Sequence, residues 1–484
     1  MNISDVISHC LKTPPLMYAQ SGECIKQEQF RKEYGLVKNY FLHHFNDDSI
    51  VALRFNKDYV YVLNILVCME IGLTYIPLSI DFPEERIEQI RQIATFDALI
   101  DEKLFGMMIN SASLESQHKH FSRNDEKLLY IMFTSGSTGK PKGVEIQRKA
   151  YANFLQWLDS YFPVTSGDIV LNATEFTFDV SLIDVGLLIV KHSALVFSNF
   201  QNDIFKLLFE MEKYNITTIA TVPNNFSMIL VDEIVARVDL HKLKYAFIAG
   251  SRFPLSLYNK FPRYLPCLQV YNCYGPTEFT IYCLTKKLYE SNDIQQETIT
   301  IGKPILNTKF KIVNDDLEEV SIGVKGELAV SGAQLMRGYK NLPEKTQEVV
   351  VVIDGELYYK TGDIAFADDE RNCYISGRLD DTVKVTGFRV NLSDIDSYIQ
   401  KIPYMKDSAT IYIEVNDLEG YLVSCLILNH AHISEKEIMS DLKNILPTFQ
   451  RPKHIILLDN FPLNTSGKVC KKTLLSNFQI KYGL

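Results

Sequence analysis

No secretory leader is legible in residues 1–12, which carry Asp5 and polar side chains where a signal would need a basic start and an apolar run. Closely spaced cysteine pairs are also missing. The nine cysteines are scattered, which excludes the usual spacing of a structural zinc site, and their odd count without a leader fits a reducing, cytoplasmic setting. There is no basic surplus: 50 lysines and arginines face 59 acidic residues, a formal charge of -9, so no broad surface for a nucleic acid backbone is predicted. No apolar run reaches the ~20 residues needed to cross a bilayer. The most apolar stretch, 59–71, contains Asn64 and Glu70 and reads as a buried helix, so no membrane association is predicted. What is present is an ordinary globular composition, 46% hydrophobic and 23% charged. At 484 residues the chain exceeds the ~250–300 that one core sustains, so at least two units are predicted.

From about residue 49 to 247, short apolar runs alternate with helical patterns. Strands are predicted over 128–133, 169–172, 194–197, 217–221 and 245–248, with helices over 83–93 and 203–214. This alternation predicts an α/β portion, its parallel-rich sheets packed by helices. Beyond residue 301 the pattern changes to Val-, Tyr- and Ile-rich strands separated by Gly and Asp, a β-rich subdomain that includes 325–330 and 357–359. The last hundred residues read as a small α+β unit. It has helices over 393–402 and 434–446, the latter with Ser434 and Glu437 in capping-box spacing, and strands over 409–415, 421–428 and 454–458. A boundary is predicted near 377–381, dividing a large domain 1–377 from a mobile domain 383–484 through a hinge at 378–382.

The densest local signal is TSGSTGKPKG, residues 134–143, directly after the predicted strand 128–133. Three glycines allow tight turns, so that amides and the hydroxyls of Thr134, Ser135, Ser137 and Thr138 converge on phosphate oxygens while Lys140 and Lys142 add positive charge. An anion-binding loop follows. It is not a Walker A loop, because the required four-residue gap is absent and Pro141 follows Lys140.

Further segments follow in order: GLTYIPLSIDFPEERI (72–87), FDVS (178–181), NCYGPTE (272–278), GELAVSGAQLMRGY (326–339), YKTGD (359–363), GRLDDTVKVTGFRV (377–390) and NTSGKV (464–469). With this set the chain resembles, over nearly its whole length, the adenylate-forming superfamily of acyl-CoA synthetases, nonribosomal peptide synthetase adenylation domains and luciferases. The resemblance implies ATP and Mg2+ as cofactors. It assigns catalytic roles to Lys468, Glu278, Thr138 and Lys142, with Glu278 holding the metal and Lys468 between the substrate carboxylate and the α-phosphate. It implies nucleotide contacts from Thr134, Ser135, Gly136, Ser137, Thr138, Gly139, Lys142, Gly250, Ser251, Asn272, Tyr274, Gly275, Thr277, Asp363 and Arg378. Tyr274 would stack on adenine, Asn272 would bond its edge, and Asp363 would accept from the ribose hydroxyls with Arg378 adding donors.

Within that superfamily FDVS is similar to amino acid activators. Asp179 would pair with an α-ammonium while Lys468 holds the carboxylate. The implied pocket is Asp179, Val180, Ile183, Ala220, Phe247, Ala249, Cys273, Ile281 and Tyr282 together with Lys468. Apart from its two ends it is apolar or weakly polar, so the expected substrate is a small to medium, largely apolar amino acid. Stand-alone enzymes that activate D-alanine for a carrier protein share this length and motif order. Only residues 470–484 follow the NTSGKV motif, which predicts a separate acyl or peptidyl carrier protein bearing phosphopantetheine as the acceptor. An acyl or aryl acid CoA ligase and a noncatalytic adenylate-binding subunit are the alternatives. The resemblance places the hinge at Asp380. It also marks a departure: Asn391 stands where the family usually carries Glu.

Overall fold

The computed structural model describes residues 1–110, 121–134, 141–198, 200, 203–291, 293–296, 298–379, 382–385, 387–415, 420–429, 433–462 and 469–482. Two large sheets dominate the N-terminal part. One has six strands in the order Gly338–Tyr339, Lys142–Gln147, Leu128–Thr134, Thr74–Leu78, Ile50–Arg54 and Ala98–Asp101, and its last four run parallel. The other has nine strands. Its centre, Gln269–Tyr274, Tyr245–Ile248, Thr218–Thr221, Ile169–Asn172 and Ala194–Phe197, is parallel, while Leu284–Lys287 and Lys303–Pro304 add antiparallel strands at one edge.

The helix Tyr59–Ile71 is buried from Val60 onward and belongs to the main apolar cluster. Its charged residue survives burial because Glu70 is fully partnered: Lys38 Nζ lies 2.8 Å away, and Tyr34 Oη and Ser8 Oγ each donate at 2.8 Å. The helix over 83–93 starts one residue later, at Glu84, because Pro83 takes the cap position. Asp203 caps Ile204–Lys213 by accepting from the amides of Phe205 and Lys206.

A five-stranded antiparallel sheet follows, built around the twelve-residue strand Glu356–Ala367. The last strand of that sheet, Cys373–Arg378, still belongs to the large portion. A separate apolar cluster then gathers Val385, Val390, Ile395, Ile399, Leu422 and Leu442. This C-terminal part pairs Thr382–Val385 with Phe388–Asn391 and forms a three-stranded sheet of Met405–Glu414, Gly420–Leu428 and His454–Leu457. Ser434 and Glu437 close the capping box that opens Glu435–Ile445. The architecture is the large α/β portion and small α+β unit read from the sequence. Among the described residues no helix is long and apolar enough to cross a membrane.

Candidate functional site

The site lies where the two large sheets and the C-terminal part meet. Leu128–Thr134 and Lys142–Gln147 form an antiparallel hairpin with Thr134 opposite Lys142 at its mouth. Ser135, Gly136, Ser137, Thr138 and Gly139 fall between them, outside the described residues, as do Asp380 and Lys468. The base of the predicted anion loop is therefore placed, and Lys142 Nζ sits 4.9 Å from the centre of the Tyr339 ring.

Asn272, Cys273 and Tyr274 end the strand Gln269–Tyr274. The Asn272 amide nitrogen donates to Thr300 O at 2.7 Å. The chain then turns at Gly275, where any Cβ would lie 2.2 Å from Ile281 O, so only glycine fits. Thr277 and Glu278 occupy the following short 3-10 turn. Glu278 is 2% exposed, and its Oε1 accepts from Tyr339 Oη at 2.8 Å.

Beyond Phe279, Thr280 (φ 52°) and Ile281 (φ 71°) are β-branched yet occupy the left-handed region, a strained choice that needs external support. Gln334 provides it. This fully buried side chain donates to Thr280 O at 2.9 Å and Tyr282 O at 2.8 Å, while its own oxygen accepts from Asn153 at 3.0 Å. Sequence reading assigned Gln334 no role, because nothing in the run GAQL signals that it faces a turn more than fifty residues earlier.

Asp363 and Arg378 are register partners on adjacent strands, and the guanidinium reaches Asp363 Oδ1 at 2.5 Å. Tyr274 Oη donates to the other oxygen at 2.5 Å. Burial, and then the neighbouring Asp363 charge, hold the Tyr274 phenol well above its ordinary range. A cavity of about 190 Å³ opens beside this group, lined by Lys142, Tyr339, Thr361, Gly362, Arg378 and Asn391. Residues from three distant stretches of sequence thus share one polar recess.

Asp179 precedes the helix Ser181–Lys191 but gives it no side-chain cap. The carboxyl is buried, and its Oδ2 has no hydrogen-bond partner. Burial pushes it up to about 7 against hydrogen bonds from Thr277 and the Ile281 amide, and the Glu278 charge pushes the same way. Val180 and Ile183 lie on the same helix start, Ala220, Phe247 and Cys273 on three adjacent parallel strands, and Ala249 directly after one of them. Ile281 and Tyr282 complete the group. All but Val180 are buried.

Sequence reading assigned Asp184 no role. Asp184 is buried next to Ile183 in the same helix, accepts from Asn172 Nδ2 at 2.8 Å and contributes to the upward shift of Tyr282. Burial pushes its carboxyl up to about 8, against the hydrogen bond from Asn172 and the Lys57 charge.

The C-terminal part packs onto this region. Phe178, of FDVS, meets Phe388 edge-on at 4.3 Å, and Phe388 stacks on Phe449 at 4.7 Å. Gly387 (φ 89°) lies against Val222 and beside Gly250, while Ser251 follows Gly250 in the loop after Tyr245–Ile248. Lys384 Nζ stands 5.9 Å from the Tyr274 ring centre.

The sequence pattern of the AMP-binding enzyme family matches residues 39–340. Polyketide synthase PksN of Bacillus subtilis is 32% identical over 88% of this chain but only 8% of its own length, and Tyrocidine synthase 1 of Brevibacillus parabrevis is 29% identical over 93% of this chain and 42% of its own. The chain thus spans less than half of these relatives. Among solved structures, amide bond synthetase McbA from Marinactinospora thermotolerans superposes with a TM-score of 0.87 at 17% identity, covering 99% of this chain and 100% of that one. The Vibrio cholerae adenylation domain AlmE, in complex with glycyl-adenosine-5'-phosphate, gives 0.85 at 20% identity over 99% and 97%. With the family pattern covering well over half its length, the chain belongs to the AMP-binding enzyme family, and it shares the fold of these solved structures from end to end.

Proposed function

We propose that this enzyme joins the carboxylate of a small to medium, largely apolar amino acid to AMP and passes the aminoacyl group to the phosphopantetheine thiol of a separate acyl or peptidyl carrier protein. The observation that carries the amino acid assignment is Asp179, a buried carboxyl with one unpartnered oxygen at the edge of an apolar group of side chains. An α-ammonium supplies the missing donor and favours the ionised carboxylate. An acid without that ammonium leaves a buried polar oxygen unsatisfied and binds less well. AlmE, with its aminoacyl adenylate, offers a precedent on the same fold.

In the reaction the substrate carboxylate attacks the α-phosphorus, a new C–O–P linkage forms, and the bond to the β-phosphate breaks with its electron pair leaving on pyrophosphate. Because anions are brought together, charge neutralisation and alignment dominate the barrier. Lys142 lies at the mouth of the phosphate hairpin, and Lys468 takes the carboxylate side by the resemblance already described. Glu278 suits Mg2+: it offers a hard carboxylate oxygen, and no cluster of three metal-ligating side chains occurs among the described residues, so nucleotide and water would supply the other ligands. When bound, the cation supplies Lewis-acid stabilisation of phosphate charge. Tyr274 offers its ring to adenine. The Asp363 oxygens, each with a lone pair beyond those used by Tyr274 and Arg378, would accept from the ribose hydroxyls.

The test is Asp179→Ala. Loss of a charge-assisted bond should raise the KM of the preferred amino acid roughly ten- to a hundredfold, with the KM for ATP nearly unchanged. Equal damage to both would assign Asp179 a structural role instead.

A further inference from the structure

We infer that Tyr339 is a positioning residue that orients Glu278 toward the metal of the bound nucleotide while supporting Lys142 at the phosphate hairpin. This rests on the reading of Glu278 as the magnesium-facing carboxylate. Tyr339 is 5% exposed and ends a two-residue strand that joins the edge of the hairpin sheet, pairing with Val144 while Gly338 pairs with Glu145. Lys340 N donates to Gly143 O at 2.7 Å on one side, and Met336 N donates to Glu278 O at 2.9 Å on the other. Residues 336–340 therefore strap the glycine-rich hairpin to the turn that carries Glu278.

From that strap Tyr339 makes two chemically different contacts. Its hydroxyl donates to Glu278 Oε1 at 2.8 Å, and the face of its ring lies 4.9 Å from Lys142 Nζ. A phenol meets a carboxylate without neutralising it, and a ring quadrupole attracts an ammonium without cancelling its charge. One rigid side chain with two soft torsions thus fixes the spacing between an anionic and a cationic group, both of which must act on a metal–triphosphate. An arginine or an aspartate at 339 would pin one group but neutralise it. The ring also lines the polar cavity with Lys142, which puts this contact at the site itself.

The experiment measures Mn2+ binding by electron paramagnetic resonance, in the presence of a non-hydrolysable ATP analogue, for the full chain and its Tyr339→Phe and Tyr339→Leu variants, with thermal midpoints taken in parallel. Tyr339→Phe removes only the hydroxyl and should weaken Mn2+ binding roughly tenfold while leaving the KM of the amino acid and the melting curve close to wild type. Tyr339→Leu, which also loses the ring, should further weaken binding of the metal-free analogue. An unchanged Mn2+ isotherm for Tyr339→Phe overturns the proposal, as does a uniform loss of metal, nucleotide and amino acid binding with a lowered midpoint. Glu278→Gln separates the two levels of inference. If it binds Mn2+ as wild type does, the reading of Glu278 fails; if only Tyr339→Phe does, the positioning role alone fails.

Discussion

At the scale of single residues, the site is governed by how burial treats carboxyl groups. The Asp179 carboxyl rises from its ordinary 3.8 to about 7, and between those values the folded enzyme holds a proton that the unfolded chain has released. This group therefore withdraws stability from the free enzyme as pH climbs from 3.8 toward 7. A cationic substrate reverses the preference, since it binds only the ionised form. The KM for the amino acid is expected to fall up to about tenfold per pH unit as pH rises toward 7, and to level off above it. Pyrophosphate exchange measured from pH 5.5 to 8.5 with saturating ATP reads this directly. In Asp179→Asn the slope should disappear; a slope identical to wild type would show that another group titrates.

At the scale of elements, the pair Thr382–Val385 and Phe388–Asn391 is the part of the C-terminal unit that meets the site. Its turn depends on Gly387, at φ 89°, where a Cβ would come within 2.2 Å of Val222 Cγ1. Gly387→Ala is expected to disturb this docking through Val222, the side chain its Cβ would strike. Transfer to the thiol acceptor should slow at least tenfold while pyrophosphate exchange changes less than threefold. Single-turnover rates of the two half-reactions provide the check, and equal losses would contradict it.

The elements themselves were largely readable. Strands 169–172, 194–197 and 245–248 have the predicted bounds because short apolar runs flanked by turn residues admit little else. The long strand Glu356–Ala367 was legible only over 357–359, since a run containing Lys360, Gly362 and Asp363 has no clear alternation and is held by partners on both sides. In the candidate site, Glu278 and Asp363 stood out in the sequence because motif residues carry their own chemistry, and the structure sets them beside Tyr339 and Arg378. Tyr339 and Gln334 were not, because their partners lie 61 and 52 to 54 residues away and are chosen by strand register and turn geometry.

At the scale of the whole molecule, a large α/β portion carries the polar recess and the apolar group around Asp179, and a small α+β unit packs against it. On the proposed function one protein completes adenylation and then admits a thiol to the same carbonyl, and the predicted hinge at 378–382 would let the small unit present different faces for the two steps. The joining of an amino acid to AMP is nevertheless the claim on which the rest depends. The most direct measurement is amino acid-dependent exchange of labelled pyrophosphate into ATP, run with Mg2+ across free amino acids of both chiralities, their des-amino analogues, and aryl and fatty acids. The account predicts exchange with one or a few small to medium apolar amino acids, at least tenfold lower exchange with the matching des-amino acids, and none without the metal. Exchange supported equally by acids lacking the ammonium, or absent with every amino acid, would contradict it.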